Sequence, residues 1–234
     1  MTALELAQTI DHTLLKPEAT EKDILKLCQE AAAHRFFSVC VNPYWVSTAK
    51  SALSGTNVAV CAVAGFPLGA NKSAIKAAEA EQIVHDGGLE VDMVLNVGRL
   101  KEQNFHAVEE DIATVRTAIG PAITLKVIIE SALLTDDLKR EAAKLVLTTG
   151  ANFVKTSTGF SAAGGATVAD IELLHSVVRG NAKVKASGGI RNLTTTLAML
   201  KAGADRIGAS AGVAIIEELT KGESGRGESV ASGY

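Results

Sequence analysis

Aromatic residues are scarce in this sequence: six Phe, two Tyr and one Trp among 234 positions. So few rings argue against a base-stacking platform for nucleic acid. An excess of positive charge is also lacking. The formal net charge is -3, both signs are interleaved, and no basic run marks a nucleic-acid partner. No stretch of about 18 uninterrupted apolar residues occurs, so no spanning helix and no membrane partner are expected. The N-terminal MTALELAQTIDHTLLKPE has neither the basic region nor the apolar core of an export signal, so a cytoplasmic setting is expected. Only three cysteines occur. Cys28, Cys40 and Cys61 have no metal-ligand spacing, are odd in number, and read as reduced thiols. His12, His34, His85, His106 and His175 form neither H-x-H nor H-E-x-x-H, which disfavours a zinc enzyme. A P-loop and a G-x-S-x-G elbow are missing too, and no metal or cofactor is expected.

What is present is alternation. Short β-branched runs fall at 9–15, 36–42, 57–64, 89–96, 123–130, 152–159, 182–189 and 205–210. The first is the weakest as a strand. Stretches of helical period lie between the others, many with recognisable ends. Thr20 with Asp23 has the form of a capping box. Asn71 or Ser73 is the expected start of a helix that Asp86-Gly87-Gly88 would stop. Thr135, Thr167, Asn192 and Ser210 are further expected starts. The four prolines all sit at junctions, and no linker divides residues 9–219.

Alternating strand–helix units imply parallel strands covered by helices. Eight such units at this length predict a single-domain α/β protein, a (β/α)8 TIM barrel over residues 1–220. The alternative is a doubly wound open sheet, but no early strand runs into the G-x-G-x-x-G turn of a dinucleotide site. The closing KGESGRGESVASGY, residues 221–234, is small, polar and glycine-rich, and is expected to be a short flexible tail.

Buried parallel strands normally read as continuous apolar runs. Here Asp92, Lys126, Lys155 and Lys185 interrupt four of them, and Asp11 lies in the weak first run. Alternate residues of a barrel strand point inward. If Val154 and Val184 face the helices, Lys155 and Lys185 face the axis. A single inward lysine is well explained by a structural ion pair. Several together near the C-terminal ends of strands point to chemistry, because that end carries barrel active sites. Two ammonium groups roughly 5 Å apart at an effective dielectric near 20 repel by about 3 kcal/mol. That is about a hundredfold in proton affinity. One of the pair then sheds its proton and becomes a nucleophile able to form a Schiff base. Lys155 is followed by small polar residues that leave room for a substrate, and Lys185 with Asp92 would tune and shuttle protons. His12, beside Asp11 and Thr13, either lines the barrel or packs as a structural histidine. Cys40 shares parity with Ser38 and Asn42 and is expected to be an inward-facing, inert thiol.

Three glycine-bearing loops, TSTGF (156–160), SGGIR (187–191) and GASAG (208–212), follow the later strands. The last runs into a helix start, a natural anion site. Loops after the last two strands of many barrels bind phosphate, so a phosphorylated substrate is expected. Arg191 either adds charge there or is solvated.

These motifs together resemble one family. IDHTLLKP (10–17), VCVNP (39–43), GFPLG (65–69), EVDMVLNVG (90–98), LKVIIE (125–130), FVKTSTGF (153–160), KVKASGGIR (183–191) and RIGASAG (206–212) occur in the order found in deoxyribose-phosphate aldolases, which are class I, Schiff-base aldolases. The resemblance implies reversible cleavage of 2-deoxy-D-ribose 5-phosphate to D-glyceraldehyde 3-phosphate and acetaldehyde, in deoxyribose phosphate catabolism. It implies that Lys155 is the Schiff-base lysine, Lys185 its neighbour and Asp92 the proton-relay carboxylate. Phosphate would sit on Gly188, Gly189, Gly208 and Ser210, with Gly159 nearby, and Lys126 and Asp11 would support the charge network. The family tends to end in tyrosine on a flexible tail. Tyr234 would then assist proton transfer at the acetaldehyde methyl carbon. Ser131 stands where related sequences often have Thr. The implied partners are small sugar phosphates and aldehydes, and self-association is left open. Two other readings also stay open: a different Schiff-base phosphosugar aldolase, and a non-catalytic sugar-phosphate-binding barrel.

Overall fold

A computed structural model describes residues 1–228, with side chains through residue 221. The strands are β1 Ile10–Leu14, β2 Ser38–Val41, β3 Ala59–Ala64, β4 Glu90–Val94, β5 Thr124–Ile128, β6 Phe153–Lys155, β7 Lys183–Ser187 and β8 Arg206–Ala209. All pair in parallel, in chain order, and β8 returns to β1 to close the barrel. The (β/α)8 architecture expected from the alternation is therefore the fold, and the weak first run is a full member of the sheet. The open-sheet alternative falls with the β1–β8 pairing.

The outer layer contains α1 Ala3–Ala7, α2 Glu21–His34, α3 Val46–Ala52, α4 Ser73–His85, α5 Val97–Lys101, α6 Phe105–Ile119, α7 Asp136–Thr148, α8 Val168–Val178, α9 Leu193–Lys201 and α10 Gly212–Glu228. Thr20 and Asp23 form the expected capping box, with the Thr20 N–H donating to Asp23 Oδ2 at 2.9 Å. Thr135, Thr167 and Asn192 cap α7, α8 and α9 with their side chains. Helix α4 begins at Ser73, one of its two expected starts, behind Lys72, which holds the cap position without a side-chain bond. One expected start differs: at α10 the first turn closes on the Ala211 carbonyl, so Ala211 is the cap residue and Ser210 precedes it. Helix α6 was not anticipated, although Val108, Ile112, Val115 and Ile119 form its buried stripe. Helix α10 continues to Glu228, into the segment expected to be a tail; Tyr234 lies outside the described residues.

Strand parity divides the interior. Val91, Met93, Leu125, Val127, Val154, Val184, Ala186 and Ile207 point outward into the layer between sheet and helices. Each fully buried aliphatic side chain there stabilises the fold by roughly 1.5–3 kcal/mol. Inside the barrel, Leu15, Cys40, Cys61 and Val63 form a small apolar cluster, with Phe66 packed on it. The opposite wall carries buried charge: Asp11, Glu90, Asp92, Lys126, Lys155, Lys185 and Arg206.

Candidate active site

Register brings the charged residues together. In the Cα pairing Asp92 faces Lys126, Lys155 faces Lys185, and Lys185 also faces Arg206. Asp92 is the hub. Its Oδ2 accepts from Lys155 Nζ at 2.8 Å and from Lys185 Nζ at 2.7 Å. Its Oδ1 accepts from Lys126 Nζ at 2.7 Å and from the Cys61 thiol at 3.1 Å. Lys185 Nζ also pairs with Asp11 Oδ2 at 2.5 Å, and Asp11 Oδ1 accepts from Ser38 Oγ at 2.7 Å. A carboxylate so buried is tolerated only when it is paired this completely.

The electrostatics follow from the geometry. Burial alone would raise the Asp92 carboxyl, but the charges of Lys126, Lys155 and Lys185 outweigh it and hold it well below the usual carboxylate range. Burial likewise opposes charge on Lys126 and Lys185. For Lys126, Asp92 wins, and for Lys185, Asp11 and Asp92 win, so both hold their protons more tightly than an exposed lysine. This corrects one expectation. Bare repulsion between Lys155 and Lys185 does not describe the pair, because Asp92 Oδ2 sits between the two ammonium groups and attracts both.

Lys155 differs from the other two lysines in position. Among the described residues it has one acidic contact, and it lines a cavity of about 380 Å³ at the C-terminal mouth of the barrel. That volume lies within the range of small-molecule sites. The cavity wall includes Gly159, Gly188, Gly189, Gly208 and Ser210, the residues singled out as phosphate ligands, together with Arg191 and Lys16. Two glycines are required by packing. Gly188 has φ +86°, and a Cβ there would lie 3.0 Å from the Gly165 Cα. At Gly208 a Cβ would lie 3.1 Å from Lys185 Cε, so the missing side chain makes room for the buried lysine. A larger hollow of about 530 Å³ between β1 and α2 shares Thr13, Leu14, Lys16 and Ser210 with the mouth, but no buried lysine lines it.

Some residues of this site escaped the sequence reading. Glu90 Oε2 lies 2.6 Å from Lys126 Nζ, and Arg206 Nη1 lies 2.6 Å from Asp11 Oδ1. The signal was available: each is a charged residue in a strand run, two positions before a residue that was singled out. Glu130 also escaped. It is buried with left-handed backbone (φ 52°) and accepts from Thr158 Oγ1 at 2.5 Å, bracing the loop after β6. His12 lies on the outward face of β1, where Nε2 meets Glu30 Oε2 at 2.8 Å and the ring packs on Phe36. It does not line the barrel axis. Cys40, Cys61 and Asp92 place three potential ligand atoms within 4.8 Å of one another. Three ammonium groups already occupy that carboxylate and would repel a cation, so the trio is a poor metal site.

The family model for DeoC/LacD family aldolases matches residues 5–218. A deoxyribose-phosphate aldolase of Clostridium tetani is 53% identical over 216 residues, which is 92% of this chain and 99% of that protein. A solved aldolase structure superposes with a TM-score of 0.88 at 40% identity, covering 93% of this chain and 96% of its own. The deoxyribose phosphate aldolase of Aeropyrum pernix, a tetramer, superposes with a TM-score of 0.86 at 32% identity, covering 94% of this chain and 92% of its own. None of the described helices is long and apolar enough to cross a membrane.

Proposed function

The chain belongs to the DeoC/LacD family of aldolases, and from that premise we propose that it cleaves 2-deoxy-D-ribose 5-phosphate reversibly to D-glyceraldehyde 3-phosphate and acetaldehyde through an imine on Lys155. The observation that carries this reading is the meeting of Lys155, Asp92 and Lys185 on one carboxylate oxygen beneath a glycine-walled cavity.

The steps balance on these groups. The free amine of Lys155 attacks the C1 aldehyde, and loss of water gives a protonated imine. A base takes the proton of the C3 hydroxyl, the C2–C3 bond breaks, and its electron pair passes to the imine, giving an enamine. D-Glyceraldehyde 3-phosphate departs. A proton added at C2 regenerates an imine, now of acetaldehyde, and water releases the product and the amine. Asp92, with Lys185 beside it, is the carboxylate suited to carry these protons, directly or through one water. The fixed charges of Lys126 and Lys185 keep Asp92 ionised. Gly159, Gly188, Gly189, Gly208 and Ser210, with Arg191, would hold the 5-phosphate and so set the distance from C1 to the amine. Tyr234 retains the role the resemblance implies for it, proton transfer at the methyl carbon.

The three free cysteines suit a reducing, cytoplasmic setting. Borohydride added with acetaldehyde tests the reading: an ethyl group should appear on Lys155 in peptide mass spectra, and only there. A folded protein that binds phosphate but yields no adduct would instead be a sugar-phosphate-binding barrel. An adduct formed with dihydroxyacetone phosphate, and not with acetaldehyde, would point to a different phosphosugar aldolase.

A further inference from the structure

The buried charges form a closed ring. From Asp92 Oδ1 it runs to Lys126 Nζ at 2.7 Å, and from Lys126 to Glu90 Oε2 at 2.6 Å. Glu90 Oε1 lies 3.5 Å from Arg206 Nη2, and Arg206 Nη1 lies 2.6 Å from Asp11 Oδ1. Asp11 Oδ2 lies 2.5 Å from Lys185 Nζ, which returns to Asp92 Oδ2 at 2.7 Å. Signs alternate at every step. Three anions and three cations therefore cancel within the ring. Lys155 hangs from Asp92 outside it and is the fourth cation.

With every group ionised, the buried network carries one excess positive charge. Loss of one proton makes it neutral, and loss from any ring lysine would break two ion pairs, whereas loss from Lys155 breaks one. The buried titratable groups that share the barrel interior with Lys155 are Asp11 on β1, Cys40 on β2, Cys61 on β3, Glu90 and Asp92 on β4, Lys126 on the neighbouring β5, Lys185 on the neighbouring β7 and Arg206 on β8. Glu130, beyond β5, is turned to Thr158. Lys16 and Arg191 line the mouth cavity with Lys155 but are exposed and stand outside the buried count.

We propose that Glu90 and Arg206 are positioning residues for the reaction: they close the ring, and their opposite charges set the pH at which Lys155 becomes a free amine. Neither touches Lys155 or lines the mouth cavity. Both act through Lys126, Asp11 and the carboxylate of Asp92. The guanidinium of Arg206 lies 3.3 Å from the centre of the Phe37 ring, which holds it in place at the floor of the barrel. The inference deepens the proposed imine chemistry and rests on that reading for its catalytic meaning.

The test uses charge sign. Glu90→Gln removes an anion and leaves the ring positive, so Lys155 should release its proton at lower pH. Arg206→Met removes a cation and leaves the ring negative, so Lys155 should release its proton at higher pH. Each shift should be about one pH unit, as for a unit charge acting over roughly 10 Å at an effective dielectric near 20. The double variant removes one charge of each sign and should return the midpoint to that of the unaltered protein. Two readouts are taken on the full chain: the pH midpoint of borohydride trapping with acetaldehyde, and that of Lys155 labelling by a small amine-reactive reagent, both by peptide mass spectrometry. Labelling needs no aldolase chemistry, so a failed imine reading and a failed ring are told apart. Shifts in the same direction, absent shifts, or a double variant that does not revert would overturn the proposal. If Arg206→Met does not fold, Glu90→Gln must still shift downward, and Arg206→Lys, which keeps the charge, must not shift.

Discussion

Asp92→Asn is the perturbation that separates imine formation from turnover. The carboxylate serves four donors: three lysines at 2.7–2.8 Å and the Cys61 thiol at 3.1 Å. An amide offers one oxygen and one NH2, so its nitrogen must face donors on one side. If the oxygen stays with Lys155 and Lys185, the NH2 meets Lys126 and Cys61, and Lys126 keeps only Glu90 at 2.6 Å. Breaking one member of a buried ion network costs about 3–5 kcal/mol. For a domain of this size that is a fall of roughly 10 °C in Tm. Loss of a positioned general base costs about 10²- to 10⁴-fold in kcat, or roughly 3–5 kcal/mol in the barrier. Lys155 itself is intact, and the variant loses a negative charge beside it. Trapping with acetaldehyde and borohydride should therefore reach the same end point as in the unaltered protein, though more slowly, while cleavage of deoxyribose 5-phosphate nearly stops.

The pH dependence gives an independent check on the same variant. Asp92 is held well below the usual carboxylate range in the folded state. The folded chain therefore binds fewer protons at this site than the unfolded chain. The stabilisation is present above the ordinary aspartate value of about 3.9, and is lost as pH falls through the lower, folded value. The stability gap between the unaltered protein and Asp92→Asn should be full at neutral pH and should narrow only in strong acid. The reasoning is refuted by a folded variant that turns over within tenfold of the unaltered protein. It is equally refuted by one that forms no adduct at any time, or by a gap that narrows with rising pH.

Two further outcomes are expected. Gly188→Ala puts a methyl group 3.0 Å from the Gly165 Cα in a backbone conformation that L residues resist. It should raise KM for the phosphorylated sugar at least tenfold and leave the adduct with acetaldehyde intact; equal loss of both would detach this loop from the phosphate. Removing Tyr234 should slow hydrogen exchange into the methyl group of acetaldehyde more than it weakens binding of inorganic phosphate, and equal effects would count against its role.

The lysines and Asp92 were legible in sequence because charge inside a parallel strand violates the apolar rule, and parity then gives its direction. Lys155 and Lys185 show this best, since Val154 and Val184 are buried under the helices as parity requires. The same rule applied to Glu90 and Arg206, but both stand at the first position of their strands. A charge at a strand edge reads as solvated until the closed barrel shows it buried. His12 had two open readings, and strict alternation decides for the structural one by turning it away from the axis and toward Glu30. Helix α6 carried a signal too, since Asn104 caps it and Val108, Ile112, Val115 and Ile119 recur at helical spacing.

Register explains why the lysine pair was read as repulsive. Sequence gives the sign and direction of Lys155 and Lys185, and adjacent strands bring them into register. It gives no distance to Asp92, which reaches them from β4, with β5 between its strand and β6. Once that carboxylate is placed, attraction replaces repulsion as the leading interaction of each lysine, and the question changes. It is no longer which of two ammonium groups is forced to deprotonate, but which cation the network can lose with the fewest broken pairs. Lys155, with one acidic contact and a side open to the cavity, is that cation. The same placement that leaves it with a single acidic contact also makes it the one a carbonyl can reach.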